Sequence, residues 1–321
     1  MNSLADKIRK IGIIPVVKIN DAKNSIPLVK ALKEGGLDSV EITFRSPAAQ
    51  NAIENVHREF PEFIVGAGTV ITVRQVEEAV EAGASFIISP GYIDEVVDYC
   101  LGKNIFVIPG CSSASEVAKA VNKGLKIVKF FPAEASGGIK TLKAFSGPYP
   151  DVKFIPTGGI NEENLSRYLN LKNVIACGGT WMVKDFLVEE KKFDQIEEIT
   201  KRAVDKMLDY KVVHIGINAV DSKEARDICS LFENMFHFKS SENNNSIFAG
   251  ADVEVMKKPF YGKKGHIAVA VNDVEKAVYQ LEKINVKFIE DSIKYNEFKE
   301  PAVVYLKDEI GGFAVHLVKR G

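Results

Sequence analysis

The sequence predicts an α/β protein in two parts: a (β/α)8 TIM barrel over residues 1–209, then a smaller α+β domain of paired βαβββ modules over residues 210–321. Three observations predict it. Eight short β-rich runs follow one another between residue 12 and about residue 180, most of them closing on Gly or Pro. Segments with helical spacing lie between them, which is the alternation of a parallel sheet covered on its outer face. Near residue 210 the texture changes to two rounds of strand, helix and further strands. A length of 321 residues also exceeds the usual size of a single-core domain.

The β-runs are, in order, "GIIPVVKI", "SVEITF", "FIVGAG", "FIISPG", "IFVIPG", "IVKFFPA", "FIPTGG" and "VIACGG". Helical segments such as "AKNSIPLVKALKEGG" and "TVRQVEEAVEAGA" connect them. Eight such units in under 200 residues favour a closed barrel. An open doubly wound sheet is the competitor, but no G-x-G-x-x-G follows the first strand. The amphipathic "FDQIEEITKRAVDKMLDYK" ends this part. The second part opens with "VVHIGINAV", then a helix ("SKEARDICSLFENMF") and "IFAGADVEVMKK". A second round follows with "GHIAVAVN", a helix ("DVEKAVYQLEKINV"), "PAVVYLK" and "GGFAVHLV", which suggests an internal duplication.

Composition narrows the function classes. Forty-two basic and 43 acidic residues leave a net charge of −1, so neither nucleic acid nor an anionic membrane is expected as a partner. Cys100, Cys111, Cys177 and Cys229 stand far apart with no CxxC pair, a pattern that fits reduced thiols in a cytosolic protein. The start, "MNSLADKIRKIG", lacks the apolar core of a signal peptide. No apolar run approaches the roughly 18 residues needed to span a bilayer. The expectation is a soluble, cytoplasmic protein acting on a small molecule.

Chemistry enters through residues that break the apolar runs. Side chains alternate across a strand, so Glu41, Thr43 and Arg45 share one face. On a barrel strand such a face points into the lumen, either as a structural ion-pair layer or as part of a site at the strand's C-terminal end. Lys129 stands among Val128, Phe130 and Phe131. Desolvation favours the neutral, nucleophilic amine, which can form a Schiff base with a carbonyl. The competing reading is a strand-end lysine that reaches water. Glu41 is the carboxylate available to move protons. "PTGGI" and "CGGTW" end the seventh and eighth runs, where barrels often cradle a phosphate on backbone N–H groups, although tight βα turns also use glycine.

"VEITFR", "VGAGTV", "SPG", "IPG", "VKFFPAEASGG", "PTGGI" and "GGTW", in this order, resemble the 2-keto-3-deoxy-6-phosphogluconate aldolase family, also known for 4-hydroxy-2-oxoglutarate aldolase activity, over about residues 8–205. The resemblance implies a metal-free class I aldolase that needs no cofactor, takes a 2-keto acid and is usually a homotrimer. It implies Lys129 as the Schiff-base lysine and Glu41 as the general acid/base. Arg45 and Thr69 match residues that hold the substrate carboxylate, Pro90 and Phe131 the pocket wall, and Gly158, Gly159, Gly179 and Thr180 the phosphate end. Two departures stand out. Ser113 and Ala114 occupy a place where Thr-Pro is common, which puts a loop in doubt, and Thr180 replaces a serine but keeps the hydroxyl. A phosphate-binding isomerase or synthase on the same architecture is the alternative, and it would not need the lysine.

Four of the five histidines, His214, His237, His266 and His316, follow residue 210. His214 and His266 open strands in corresponding halves, while Glu254 and His316 sit in the last strands of those halves. This part resembles the vicinal oxygen chelate (glyoxalase-like) superfamily over about residues 211–320. The resemblance implies His214, Glu254, His266 and His316 as a ligand set suited to a divalent metal such as zinc. Histidines hydrogen-bonded inside a small αβ module are the alternative. A metal-dependent isomerase or lyase, a metabolite-binding module and an assembly domain all remain open for this part. His237 reads as structural and "SSENNNS" as a polar turn.

Overall fold

The computed structural model describes residues 4–320, so the first three residues of the "MNSLADKIRKIG" segment lie outside the described residues. The chain divides into two compact units, residues 1–207 and 208–321.

The first unit is α/β. Its strands are β1 (Ile13–Val17), β2 (Ser39–Thr43), β3 (Ile64–Gly68), β4 (Phe86–Ile88), β5 (Val107–Ile108), β6 (Gly110–Cys111), β7 (Ile127–Phe130), β8 (Lys153–Pro156) and β9 (Cys177–Gly179). Its helices are α1 (Leu4–Ile11), α2 (Ser25–Glu34), α3 (Ala49–Glu59), α4 (Val73–Glu81), α5 (Asp94–Gly102), α6 (Ala114–Asn122), α7 (Gly138–Phe145), α8 (Leu165–Leu169), α9 (Asp185–Glu189) and α10 (Phe193–Leu208). Every residue of β1, β2 and β3 is buried, as expected of parallel strands covered on both faces. The curled sheet runs β5-β4-β3-β2-β1-β9, and a second parallel sheet runs β6-β7-β8. The fifth run of the sequence is split between them because Pro109 has no N–H to give a ladder, while its carbonyl accepts from Lys129 N at 2.9 Å. Two isolated parallel bridges, Phe154 to Val174 and Thr157 to Gly178, join β8 and its end to the run that contains β9.

Two helices carry a capping box, Thr72 with Gln75 on α4 and Ser113 with Glu116 on α6. Ser113, where the family pattern has Thr, thus starts α6 with its own hydroxyl. Cys100, Cys111, Cys177 and Cys229 are all buried, and no disulfide joins them. Among the described residues no helix is long and apolar enough to cross a membrane.

The second unit holds β10 (Lys211–Asn218), α11 (Ser222–Phe236), β11 (Ser240–Glu242), β12 (Ser246–Ala249), β13 (Val253–Met256), β14 (His266–Val271), α12 (Val274–Lys283), β15 (Phe288–Tyr295), β16 (Pro301–Leu306) and β17 (Ala314–Lys319). Each half runs strand, helix, three strands. One eight-stranded sheet, β11-β12-β13-β10-β14-β17-β16-β15, joins the halves through the antiparallel pair β10 and β14. Ile247, Ala249 and Val255 pack with Ala225 and Cys229 of α11 to form a buried core on one face. His237 ends α11 in a left-handed conformation at φ 60° and donates its backbone N–H to Glu233 O. The "SSENNNS" stretch is more than a turn, since Ser240–Glu242 form β11 and Ser246 starts β12.

Candidate functional site

The C-terminal ends of the first unit's strands surround a cavity of ≈ 240 Å³. Parity explains how β2 reaches it. Glu41 and Thr43 point to the same side, and Arg45, two residues beyond Thr43, continues that face into the loop. Glu41, Thr43 and Arg45 all line the cavity. Across the strands, Lys129 Nζ lies 2.9 Å from Glu41 Oε1 and 3.1 Å from Oε2. Both side chains are buried, with Lys129 5% and Glu41 1% exposed. Gly68 makes room for this pair, because a Cβ there would stand 2.1 Å from Glu41 Oε1. The Phe131 ring centroid is 5.4 Å from Lys129 Nζ, so an aromatic face covers one side of the amine. The competing sequence reading of Lys129, a strand-end lysine that reaches water, does not describe this amine, which is buried against Glu41.

Thr43 connects the site to its rim. Its hydroxyl donates to Val17 O at 3.0 Å and accepts from Arg45 Nε at 3.2 Å. The Nε bond turns the guanidinium and leaves its terminal nitrogens to meet an anion. Thr69, directly after β3, lines the cavity at φ 56°, a left-handed conformation that β-branched residues rarely adopt. Pro90 and Phe131 also line the wall.

Gly158, Gly159, Gly179 and Thr180 line the same cavity. The two glycine pairs serve different purposes. Gly158 and Gly159 take φ of 98° and 81°, which glycine alone tolerates well. Gly179 is in β9, where a Cβ would stand 1.8 Å from the Trp181 ring, so it is needed for packing. The loop is braced from β7's continuation, since Ala133 N donates to Thr157 O at 2.8 Å and Glu134 N to Gly158 O at 3.1 Å.

The cavity thus brings together all ten residues of this unit to which the resemblance gives a role. It also includes Val16, Thr43, Thr157 and Ile160. Thr43 was visible in the strand's parity and Thr157 in "PTGGI". Val16 carried no signal that separates it from a core valine.

Comparison with known proteins fits this geometry. Residues 4–199 match the family model described as KDPG and KHG aldolase. The chain belongs to this family. Among curated members, the KHG/KDPG aldolase of Escherichia coli (strain K12) is 42% identical over 202 residues, covering 63% of this chain and 95% of that protein. The 2-dehydro-3-deoxy-phosphogluconate aldolase of Pseudoalteromonas atlantica is 45% identical over 192 residues, 60% of this chain and 89% of that protein. Among solved structures, the KDPG aldolase of Legionella pneumophila, with pyruvate captured at low pH as a covalent carbinolamine intermediate, superposes with a TM-score of 0.60 at 41% identity, covering 62% of this chain and 97% of that one.

The second unit carries a separate polar cluster on the sheet face opposite its helices. Glu254, Gly216 and His266 lie side by side in register across β13, β10 and β14, and His214, Ala268 and His316 do so across β10, β14 and β17. Small residues between the polar ones leave space for rings, and a Cβ on Gly216 would stand 2.0 Å from the His266 ring. His214 Nε2 is 3.2 Å from His266 Nε2, and Glu254 Oε2 is 3.3 and 3.0 Å from these two nitrogens. Burial alone would raise the Glu254 carboxyl, but hydrogen bonds from His214, His266 and Ser246 outweigh it and hold the group well below the usual range.

These three donors fit a divalent cation. Two ligands bound at 2.0–2.1 Å with tetrahedral angles stand about 3.4 Å apart. His316 does not belong to the close group. Its ring packs 5.3 Å from that of His266, and its Nδ1 is buried without a partner among the described residues. Burial, with the charges of His266 and His214, pushes its imidazole down to about 3.

Proposed function

We propose that the first unit is a class I aldolase that cleaves 2-keto-3-deoxy-6-phosphogluconate to pyruvate and glyceraldehyde 3-phosphate, and cleaves 4-hydroxy-2-oxoglutarate to pyruvate and glyoxylate by the same chemistry. One observation carries the reading: a buried lysine in direct contact with a buried carboxylate at the open end of the strands. We read the two parallel sheets as one (β/α)8 barrel around it. A homotrimeric assembly belongs to the same reading and is tested by sedimentation.

Lys129 passes a proton to Glu41 across their hydrogen bond and attacks the 2-keto carbon as the neutral amine. Arg45 and Thr69 receive the substrate carboxylate, which sets the carbonyl over the nitrogen. Glu41 returns its proton to the carbinolamine hydroxyl, which leaves as water and yields the protonated imine. When the C3–C4 bond breaks, its electron pair moves into the imine to give an enamine. The C4 hydroxyl loses its proton to Glu41 and becomes the aldehyde. The enamine is then protonated at C3, and hydrolysis of the imine frees pyruvate and Lys129. The glycine loop of Gly158 and Gly159, with Thr180, suits the phosphate at the far end. A phosphate-binding isomerase or synthase would have no use for Lys129.

Borohydride added with pyruvate tests this. The expected result is an irreversible mass increase on the peptide that carries Lys129, absent from Lys129→Ala. An unmodified peptide in folded protein rejects the reading.

For the second unit, the donor spacing of His214, Glu254 and His266 favours a divalent metal centre, with zinc the first choice for two imidazoles and a carboxylate. Bound there, the metal would supply Lewis acidity toward an oxygen ligand. Stoichiometric metal after gentle purification, lost in His266→Ala, is the expected outcome. A metal-free chain that binds no added zinc leaves the metabolite-binding and assembly readings in place.

A further inference from the structure

The polar turn between β11 and β12 reaches into the second unit's cluster. Ser246, 1% exposed, donates from Oγ to Glu254 Oε1 at 2.5 Å. Asn243 in turn donates from Nδ2 to Ser246 Oγ at 3.0 Å, while its Oδ1 accepts from Ser246 N at 2.9 Å and from Asn245 N at 2.8 Å. The Asn243 carbonyl accepts from Lys257 Nζ, whose ammonium also lies 2.7 Å from Glu242. The result is one directed chain, Asn243 to Ser246 to Glu254, anchored in a turn that is closed at both ends.

The chain has a chemical consequence. A carboxylate has two oxygens and rotates about its last bond. With Oε1 held by Ser246, only Oε2 faces the nitrogens of His214 and His266. His266 is itself 1% exposed, with its Nε2 turned to Glu254 and His214 and its Nδ1 without a partner among the described residues. We infer that Ser246, fixed by Asn243, is a positioning residue that presents Glu254 as a one-oxygen ligand to a divalent cation held with His214 and His266. The inference rests on the metal reading of the second unit. Outer hydrogen bonds of this kind typically change metal affinity by 10–100-fold.

The full chain, stripped of metal by a chelator, is titrated with Zn²⁺ by calorimetry and with Co²⁺ by visible absorption. Ser246→Ala is expected to bind Zn²⁺ at least about ten-fold more weakly. It also frees the second oxygen for two-oxygen coordination, which shifts the Co²⁺ d–d bands. Ser246→Thr keeps the hydroxyl and restores both affinity and spectrum. Asn243→Ala weakens binding in the same direction, whereas Asn244→Ala in the same turn changes neither. Equal affinity in folded Ser246→Ala overturns the inference, as does an equal loss in Asn244→Ala, which would mark a general effect of the turn. If Ser246→Ala does not fold, unchanged affinity in Asn243→Ala overturns it instead. A wild-type chain that takes up no Zn²⁺ rejects the metal reading itself, and the inference with it.

Discussion

Thr69 shows how the first unit spends stability on its site. A β-branched residue at φ 56° carries strain on the order of 1–3 kcal/mol, and this one lines the cavity. Lys129 and Glu41 carry a similar tension, because removing one partner leaves a buried charge alone at a cost of about 3–5 kcal/mol. Lys129→Ala and Glu41→Gln are each expected to lower cleavage by at least about two orders of magnitude, measured as pyruvate release with folding checked by circular dichroism. Full activity in either variant defeats its role. Thr43→Val removes the bond that turns Arg45 and is expected to raise KM for the keto acid about ten-fold with a smaller change in kcat, and Thr43→Ser restores it. Thr43→Val should have no further effect in an Arg45→Ala background. Lys129 was legible in the sequence because a charge inside an apolar run demands a reason. The bond from Arg45 to Thr43 was not, since parity gives a shared face but no rotamer.

At the scale of elements, strand order and number were read from runs ending on Gly or Pro, and the structure adds the break at Pro109. That break was hidden because a proline missing one donor still permits an apolar run to look continuous. Capping chemistry was also in the sequence, as Thr72 with Gln75 and Ser113 with Glu116, but only the structure gives the Ser113 departure a job. The glycines of "PTGGI" and "CGGTW" looked alike as letters and differ in reason, one pair by backbone angle and the other by packing. Gly159→Ala places a methyl 2.5 Å from Glu134 Cγ in a left-handed turn. It is expected to destabilise the unit by about 1–2 kcal/mol in thermal melts and to raise KM for the phosphorylated substrate more than for 4-hydroxy-2-oxoglutarate. An equal effect on both substrates would detach this loop from phosphate.

At the scale of the whole molecule, all of the cavity's lining residues fall within residues 16–180. Curated relatives covered to 89–97% of their own length match only 60–64% of this chain. A chain ended at residue 209 is therefore expected to fold and to keep its kcat within about two-fold in the same pyruvate assay, and loss of activity in a folded fragment would tie catalysis to the second unit. The division into two textures was legible because two rounds of strand, helix and strands follow the charged amphipathic helix that ends near residue 210. The cluster's membership was less so, because sequence places His316 on the correct strand but cannot give the rotation of its ring. His214 and Glu254 come from one half of the second unit and His266 from the other. On the metal reading neither half supplies the whole set, so a gene cut between β13 and β14 would leave each piece of the second unit without a complete centre. Their reunion in one tube would then be followed by the colour of cobalt, which turns the shared sheet into an assembly assay.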